Sequence, residues 1–293
     1  MYAVTSPSED AHAGQFRDPP ASDRDLARAD GAVRLGFVSD GGRTRLDTLA
    51  QHSPCRVILP REGQAEPVAV LINTAGGVCG GDRLATDVAL GDGAAATVAG
   101  QAAERIYRSI DEPARIETTI TLGDDARLHW APQETILFDG AHFRRRTRVD
   151  LATGARLLAA ETLVFGRGAM GETVTRISLR DEWRVRIAGR LRWLDPFRLD
   201  DAAPLTRRAG LAGAGAFTTL IAHGPDLEPL RERVRTLLDG AAVRAAATIV
   251  NGLLVARLLG EPAAVRRLLV GLLAMLRQEL LGFVPALPRV WSC

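Results

Sequence analysis

The chain has 293 residues, 46% of them hydrophobic and 25% charged, with a formal net charge of +2. These are globular proportions, long enough to bury a core without disulfide or metal staples, and too weakly basic to imply nucleic acid by charge alone. Three cysteines without CxxC spacing exclude a disulfide framework and a zinc knuckle, and no run of eighteen apolar residues exists to span a membrane. With no secretory signal either, a soluble cytoplasmic protein is expected. Every basic side chain other than histidine is arginine, whose planar fork suits contacts with carboxylates.

Residues 1–30 are rich in Asp, Ser, Ala and Pro without periodicity, which predicts a disordered leader ahead of one domain over 31–293. From about Gly31 strand signals recur: RVILP, PVAVLIN, LATDVAL and AAATVA are short apolar runs separated by Gly, Pro and Asp. Ile116, Thr118, Ile120 and Leu122 then alternate with Arg115, Glu117, Thr119 and Thr121, and Trp183, Val185, Ile187, Leu191 and Trp193 alternate with arginines. A period of two predicts half-buried strands or hairpin arms. In the last third, Leu227, Leu230, Val234, Leu237 and Leu238 form a helical stripe closed by Asp239-Gly240. A strand pair over 248–259 turning at Asn251-Gly252 follows. Glu261-Pro262 opens a second helix through Leu281 with Gly282 just beyond. The fold class expected is mainly β (α+β): a large multi-stranded body with two helices in the C-terminal third.

Motifs for chemistry are sparse. INTAGGVCGGDR (72–83) lacks the Lys and hydroxyl of a phosphate loop and places Asp82-Arg83 there instead, so a tight irregular turn is expected. GRGAMG (166–171) has the glycine spacing of a dinucleotide loop, but a strand-like stretch follows where a helix is required, so it reads as a connection between strands. The five histidines make no HxH or HxxxH pair, and no GxSxG elbow occurs. Arg144, Arg146 and Arg148 share a face, as do the arginines of 184–192; the readings are a solvated face, a surface for an acidic protein, or an RNA contact without aromatics to stack on. Glu161 lies in LLAAETLVF, apolar on both faces, so its carboxylate must be paired, hydrated or functional.

Four stretches, TAGGVCGGDRL (74–84), GQAAERIYRS (100–109), WAPQETILFDGAHFRRRTRVDL (130–151) and ETLVFGRGAMGE (161–172), resemble in order and spacing the UreD family of urease accessory proteins, called UreH in some bacteria. SPCRVILPR (53–61) looks like that family's entry strand, and LPRVW (287–291) like its usual ending. The resemblance implies a mainly β fold, no catalysis, and a scaffold that binds the urease apoprotein and, through a UreF-like protein, a UreG-like GTPase carrying nickel. It implies no resident cofactor, only nickel in transit through an internal polar passage. The residues expected to line the passage or shape the partner surface are Asp82, Arg83, Gln101, Glu104, Tyr107, Arg108, Gln133, Glu134 and Glu161. Cys55 and Cys79 depart from the family's aliphatic residues and are read as small buried hydrophobes. The other classes to weigh are a hydrolase using Glu134 with Glu161, and a basic RNA-binding β module.

Overall fold

The computed structural model describes residues 28–61, 63–109 and 111–292. The expected leader therefore lies outside the described residues up to position 27, as does Cys293. In chain order the strands are β1 (Asp30–Asp40), β2 (Arg43–His52), β3 (Cys55–Ile58), β4 (Val68–Asn73), β5 (Arg83–Leu90) and β6 (Ala95–Gly100). They continue with β7 (Glu104–Ile106), β8 (Ala114–Leu122), β9 (Arg127–Ala131), β10 (Thr135–Leu137), β11 (Ala141–Leu151) and β12 (Arg156–Phe165). The last are β13 (Ile177–Ile187), β14 (Arg190–Leu199), β15 (Ala216–His223), β16 (Arg244–Val250) and β17 (Leu253–Gly260). The helices are α1 (Ala203–Thr206), α2 (Leu227–Leu238) and α3 (Pro262–Glu279).

A seven-stranded sheet, ordered β14-β13-β11-β8-β5-β1-β2, faces a ten-stranded sheet whose main path is β16-β17-β15-β12-β9-β6-β4-β3. Between β4 and β13 the longer strands alternate between the sheets, so each returns beside its predecessor in parallel: β5 with β8, β8 with β11, β11 with β13, β4 with β6, β6 with β9 and β9 with β12. Parallel neighbours need a long crossover. Here the crossover is a strand of the opposite sheet rather than a helix, which is why alternating β-patterns appear without βαβ helices between them.

The ten-stranded sheet is buried on both faces. Leu157, Ala159 and Leu163 of β12 join the core between the sheets, while Leu158 and Ala160 join a second core with Leu227, Leu230 and Val234 of α2 and Val265, Leu269, Leu272, Leu273 and Leu276 of α3. That accounts for a strand with little polar phase at all. The C-terminal helices start where expected. Glu261 caps α3, its carboxylate accepting hydrogen bonds from the Ala263 and Ala264 amides at 2.9 and 2.8 Å. Asn251 and Gly252 both have positive φ, 50° and 80°, and join β16 to β17.

Three expectations need correction. A third, four-residue helix, α1, has no apolar period to announce it. Leu191 is 51% exposed rather than inward, because Ala188-Gly189 turns the chain between β13 and β14 and the register shifts at Val185/Arg186. Cys79 is exposed; it lies in the 74–82 loop with its amide bonded to Asp82, whereas Cys55 is buried as expected.

Candidate functional site

The inward phase of three strands carries charge. In β11 the side chains Phe143, Arg145, Thr147 and Val149 are buried, and in β13 so are Leu179, Asp181, Trp183 and Val185. Arg145 and Asp181 are direct cross-strand partners. Arg145 therefore reaches Asp181 with two bonds, Nε to Oδ1 at 2.9 Å and Nη2 to Oδ2 at 2.6 Å. Glu161 enters from β12 of the opposite sheet and places Oε2 3.2 Å from Arg145 Nε. Its carboxylate also accepts hydrogen bonds from Trp130 Nε1 at 3.1 Å and Thr147 Oγ1 at 3.2 Å. Thr135 accepts from Arg145 Nη1 at 3.3 Å.

Two carboxylates thus share one guanidinium in the interior. Burial pushes Glu161 above the usual carboxylate range, Arg145 pulls it back, and Asp181 adds to the rise. A proton or a cation is what this excess acid lacks. Among the described residues no three His, Cys, Asp or Glu side chains converge as a ligand set.

Glu161 and Arg145 border a cavity of about 260 Å³ between the sheets, lined also by Thr118, Trp130, Thr135, Cys55, Asn73, Gln101, Glu104 and Gln133. Apolar side chains make up much of its wall, polar groups stand among them, and the space is large enough for water. Toward solvent, Glu104 accepts from Asn73 Nδ2 at 3.0 Å and is raised by burial, with Asn73 opposing the rise. Beside it burial, with help from Glu104, pushes the Cys55 thiol up to about 11, so it is a neutral wall. On the far side, Asp195 of β14 bonds the Arg257 guanidinium of β17, and burial raises Asp195 with a smaller push from Asp181. Glu104 and Glu161 thus border one cavity, Arg145 joins Glu161 to Asp181, and the Asp181 charge is felt at Asp195.

Of the residues expected from sequence, Gln101, Glu104, Gln133 and Glu161 line this cavity and five do not. Asp82 holds the loop before β5, accepting from the Ala29 and Cys79 amides at 2.9 and 2.7 Å. Arg83 is exposed at the start of β5. Tyr107 packs edge-on to Phe138 and donates to Gly76 O at 3.1 Å; a Cβ on Gly77 would meet its ring at 2.3 Å, which is why glycine stands there. Arg108 bridges Ala141 through its backbone. Glu134 accepts from Arg266 Nη1 of α3 at 2.6 Å. Arg266 in turn donates to Gln133 Oε1 and Trp291 O and stacks over the Trp291 ring, while Gln133 donates to Val290 O. Gln133 and Glu134 therefore anchor the C-terminal LPRVW segment. The acid pair a hydrolase would use is not assembled, since Glu134 is absent from the cavity that Glu161 lines.

Sequence reasoning missed Arg145 and Asp181. The signal was present: each is a charge in the apolar phase of an alternating strand. The outward phase, Arg144, Arg146 and Arg148, shows its charge more openly.

The family model described as UreD urease accessory protein matches residues 29–292. A urease accessory protein UreD from Methylobacterium sp. (strain 4-46) is 44% identical over 274 residues, 90% of this chain and 95% of that protein. The one from Chelativorans sp. (strain BNC1) is 41% identical over 282 residues, 95% and 99% of the two chains. That of Rhodopseudomonas palustris (strain HaA2) is 41% identical over 267 residues, 90% and 93%.

Proposed function

The chain belongs to the UreD family of urease accessory proteins, and on that premise we propose that it serves urease maturation as a non-catalytic scaffold whose inter-sheet cavity passes nickel toward the urease apoprotein. In this reading a UreF-like protein docks on it and brings a UreG-like GTPase that delivers the metal. The observation that supports a passage is the line of acids from half-buried Glu104 through the buried Glu161 and Asp181 to half-buried Asp195, with Glu161 and Asp181 sharing Arg145.

Nickel is cargo here, and the residues suit cargo better than storage. Carboxylate oxygens, amides and water hold a divalent ion weakly, and weak holding is what transit requires. Arg145 keeps one acid neutralised, so a passing ion meets limited excess charge rather than a trap. Among the described residues no helix is long and apolar enough to cross a membrane. The work of the protein in this reading is done in complex with its partners in the cytoplasm.

The test is Glu161→Gln, which keeps the shape and the bonds from Trp130 and Thr147 while removing the charge. Coexpressed with the urease subunits and the UreF-like and UreG-like proteins, the variant should fold and copurify with them, yet nickel per urease should fall severalfold. Asp181→Asn should act in the same direction. Nickel loading at the wild-type level in both variants would overturn the passage, and loss of copurification with folding would make Glu161 a structural residue.

A further inference from the structure

A row of like charge runs across the outer face of the seven-stranded sheet, on the side away from helices α2 and α3, which pack on the other sheet. Arg83 of β5 is in register with Arg115 of β8, Arg115 with Arg144 of β11, Arg144 with Arg180 of β13, and Arg180 with Arg198 of β14. All five take the outward phase of their strands, and Arg83, Arg144, Arg180 and Arg198 are exposed. Like charges placed directly across from one another repel. Part of the charge is compensated: Arg115 pairs with Glu112, and Arg180 and Arg198 share Asp200. Among the described residues Arg83 and Arg144 form no ion pair, although Asp30 of β1 stands in register with Arg83. Arg144 is the least compensated, because both of its cross-strand neighbours are arginines.

The next row along the strands is balanced. It reads Ala85, Glu117, Arg146, Glu182 and Pro196, with Arg146 3.8 Å from Glu117 and 3.4 Å from Glu182. Between the two rows lies a depression of about 280 Å³, walled by Arg115, Arg144 and Arg180 on one side and by Glu117, Arg146 and Glu182 on the other. A ligand seated there meets the uncompensated Arg144 at the first row and carboxylates at the second, so the surface selects the layout of negative charge as well as its sign. Nucleic acid suits it poorly, since backbone phosphates would crowd Glu117 and Glu182 and neither row offers an aromatic side chain for a base to stack on. Side-chain carboxylates suit it well, because a guanidinium takes a carboxylate through two parallel bonds. The row spans four strand spacings of ~4.8 Å, about 19 Å, and an extended chain laid along it presents alternate side chains about every 6.6 Å, so roughly three or four carboxylates reach it.

We propose that the row Arg83–Arg115–Arg144–Arg180–Arg198 is a docking surface for an acidic segment of a separate polypeptide, seated with its carboxylates along the row and one of them at Arg144 in the depression. Docking relieves the repulsion within the row and leaves the helix side of the protein free for other contacts. The inference does not depend on metal passing between the sheets.

Fluorescence anisotropy of a labelled polyglutamate peptide, titrated with the full-length protein at low ionic strength, tests this. Binding should saturate, and high salt should release the peptide. Arg144→Glu should weaken binding about tenfold, since it removes one attraction and adds one repulsion, whereas Arg267→Glu, at an exposed position of α3, should change it by less than about twofold. The Arg144→Glu change also relieves repulsion from Arg115 and Arg180, so its circular dichroism and urea midpoint should match the wild type. If that variant does not fold, Arg83→Glu takes its place, at the exposed β5 end of the row. Equal losses in the row variant and the α3 variant would overturn the proposal, because attraction would then follow net charge alone. Absence of saturable binding would overturn it as well. Row-dependent binding of polyuridylate tighter than that of polyglutamate of equal charge would give the face to nucleic acid instead. Displacement of the peptide by inorganic phosphate, at an ionic strength where chloride has no effect, would reduce the site to one small oxyanion and sink the proposal too.

Discussion

The two faces of the ten-stranded sheet are buried to a similar degree and solve the same problem, a charge removed from water, in opposite ways. On the helix side, Arg277 of α3 is fully buried and its guanidinium donates to Glu66 Oε1 at 2.7 Å, His129 Nδ1 at 2.7 Å, Thr97 Oγ1 at 3.0 Å, Gln64 Oε1 at 3.2 Å and Val284 O at 3.0 Å. Among the described residues this cation meets one acid, Glu66, and burial with the nearby Arg277 charge holds His129 well below its ordinary value, so it stays neutral. The cluster is closed and fastens α3 to the 63–67 loop. On the other side, Arg145 serves two acids, and open space lies beside them. Buried ion pairs seldom add stability over apolar packing, but breaking one is costly. A closed cluster has a structural use. An unbalanced one beside a cavity leaves a charge to be satisfied by something that comes and goes.

The comparison can be broken first at its rigid end. Arg277→Ala should lower the unfolding free energy by about 3–5 kcal/mol, because Glu66 is left buried and uncompensated. Urea denaturation measures it, and nickel per urease should fall only in proportion to the folded protein that remains. A loss under 1 kcal/mol, with loading impaired, would reverse the roles assigned to the two faces.

The cavity side should respond the other way. Glu161→Gln keeps the bonds from Trp130 and Thr147 and leaves Arg145 paired with Asp181, so its stability cost should be about 1.5–3 kcal/mol, the scale of one charged hydrogen bond. Its larger effect should be on metal loading.

A pH series sharpens the same point. The folded protein holds the Glu161 proton more tightly than the unfolded chain, whose carboxyl titrates near its ordinary 4.5. The stability this contributes is present below that value and is lost as pH rises through the folded one, by less than about 1.4 kcal/mol per unit of pH, the ceiling for one proton. Urea midpoints of the wild type should decline across that window, and those of Glu161→Gln should lack this component. Parallel profiles would mean that Glu161 is ionised at an ordinary pKa.

The smallest effect belongs to a neutral pair on the helix side. Thr162 and Thr218 are cross-strand partners joined hydroxyl to hydroxyl at 2.8 Å. Replacing both with valine removes donor and acceptor together, so stability should stay within about 0.5 kcal/mol of the wild type. The single Thr162→Val change should cost more than the double.

Local chemistry made much of this legible beforehand. The α3 start at Glu261-Pro262, the Asn251-Gly252 turn and the α2 stripe follow from capping, φ preference and a period of 3.6, all properties of neighbours in sequence. Glu161 was visible too, as an acid with no polar face to escape to. Arg277 was not, because an arginine in a Leu-rich helix reads as an interruption, and its acid Glu66 lies far away along the chain. Arg145 and Asp181 were hidden for a related reason. Period two reveals which phase of a strand is buried, but not that the buried phases of β11 and β13 lie in parallel register and face β12.

The sequence by itself determined the β-rich class, the two long C-terminal helices, the turns and the family likeness, since each rests on residues within a few positions of one another or on whole motifs. Only the tertiary structure decided that the strands alternate between two sheets, that Glu161 meets Arg145 and Asp181, and that Glu134 belongs to the C-terminal anchor rather than the cavity. Those facts depend on register and on which sheet faces which, and long-range pairing leaves no periodic trace in one chain.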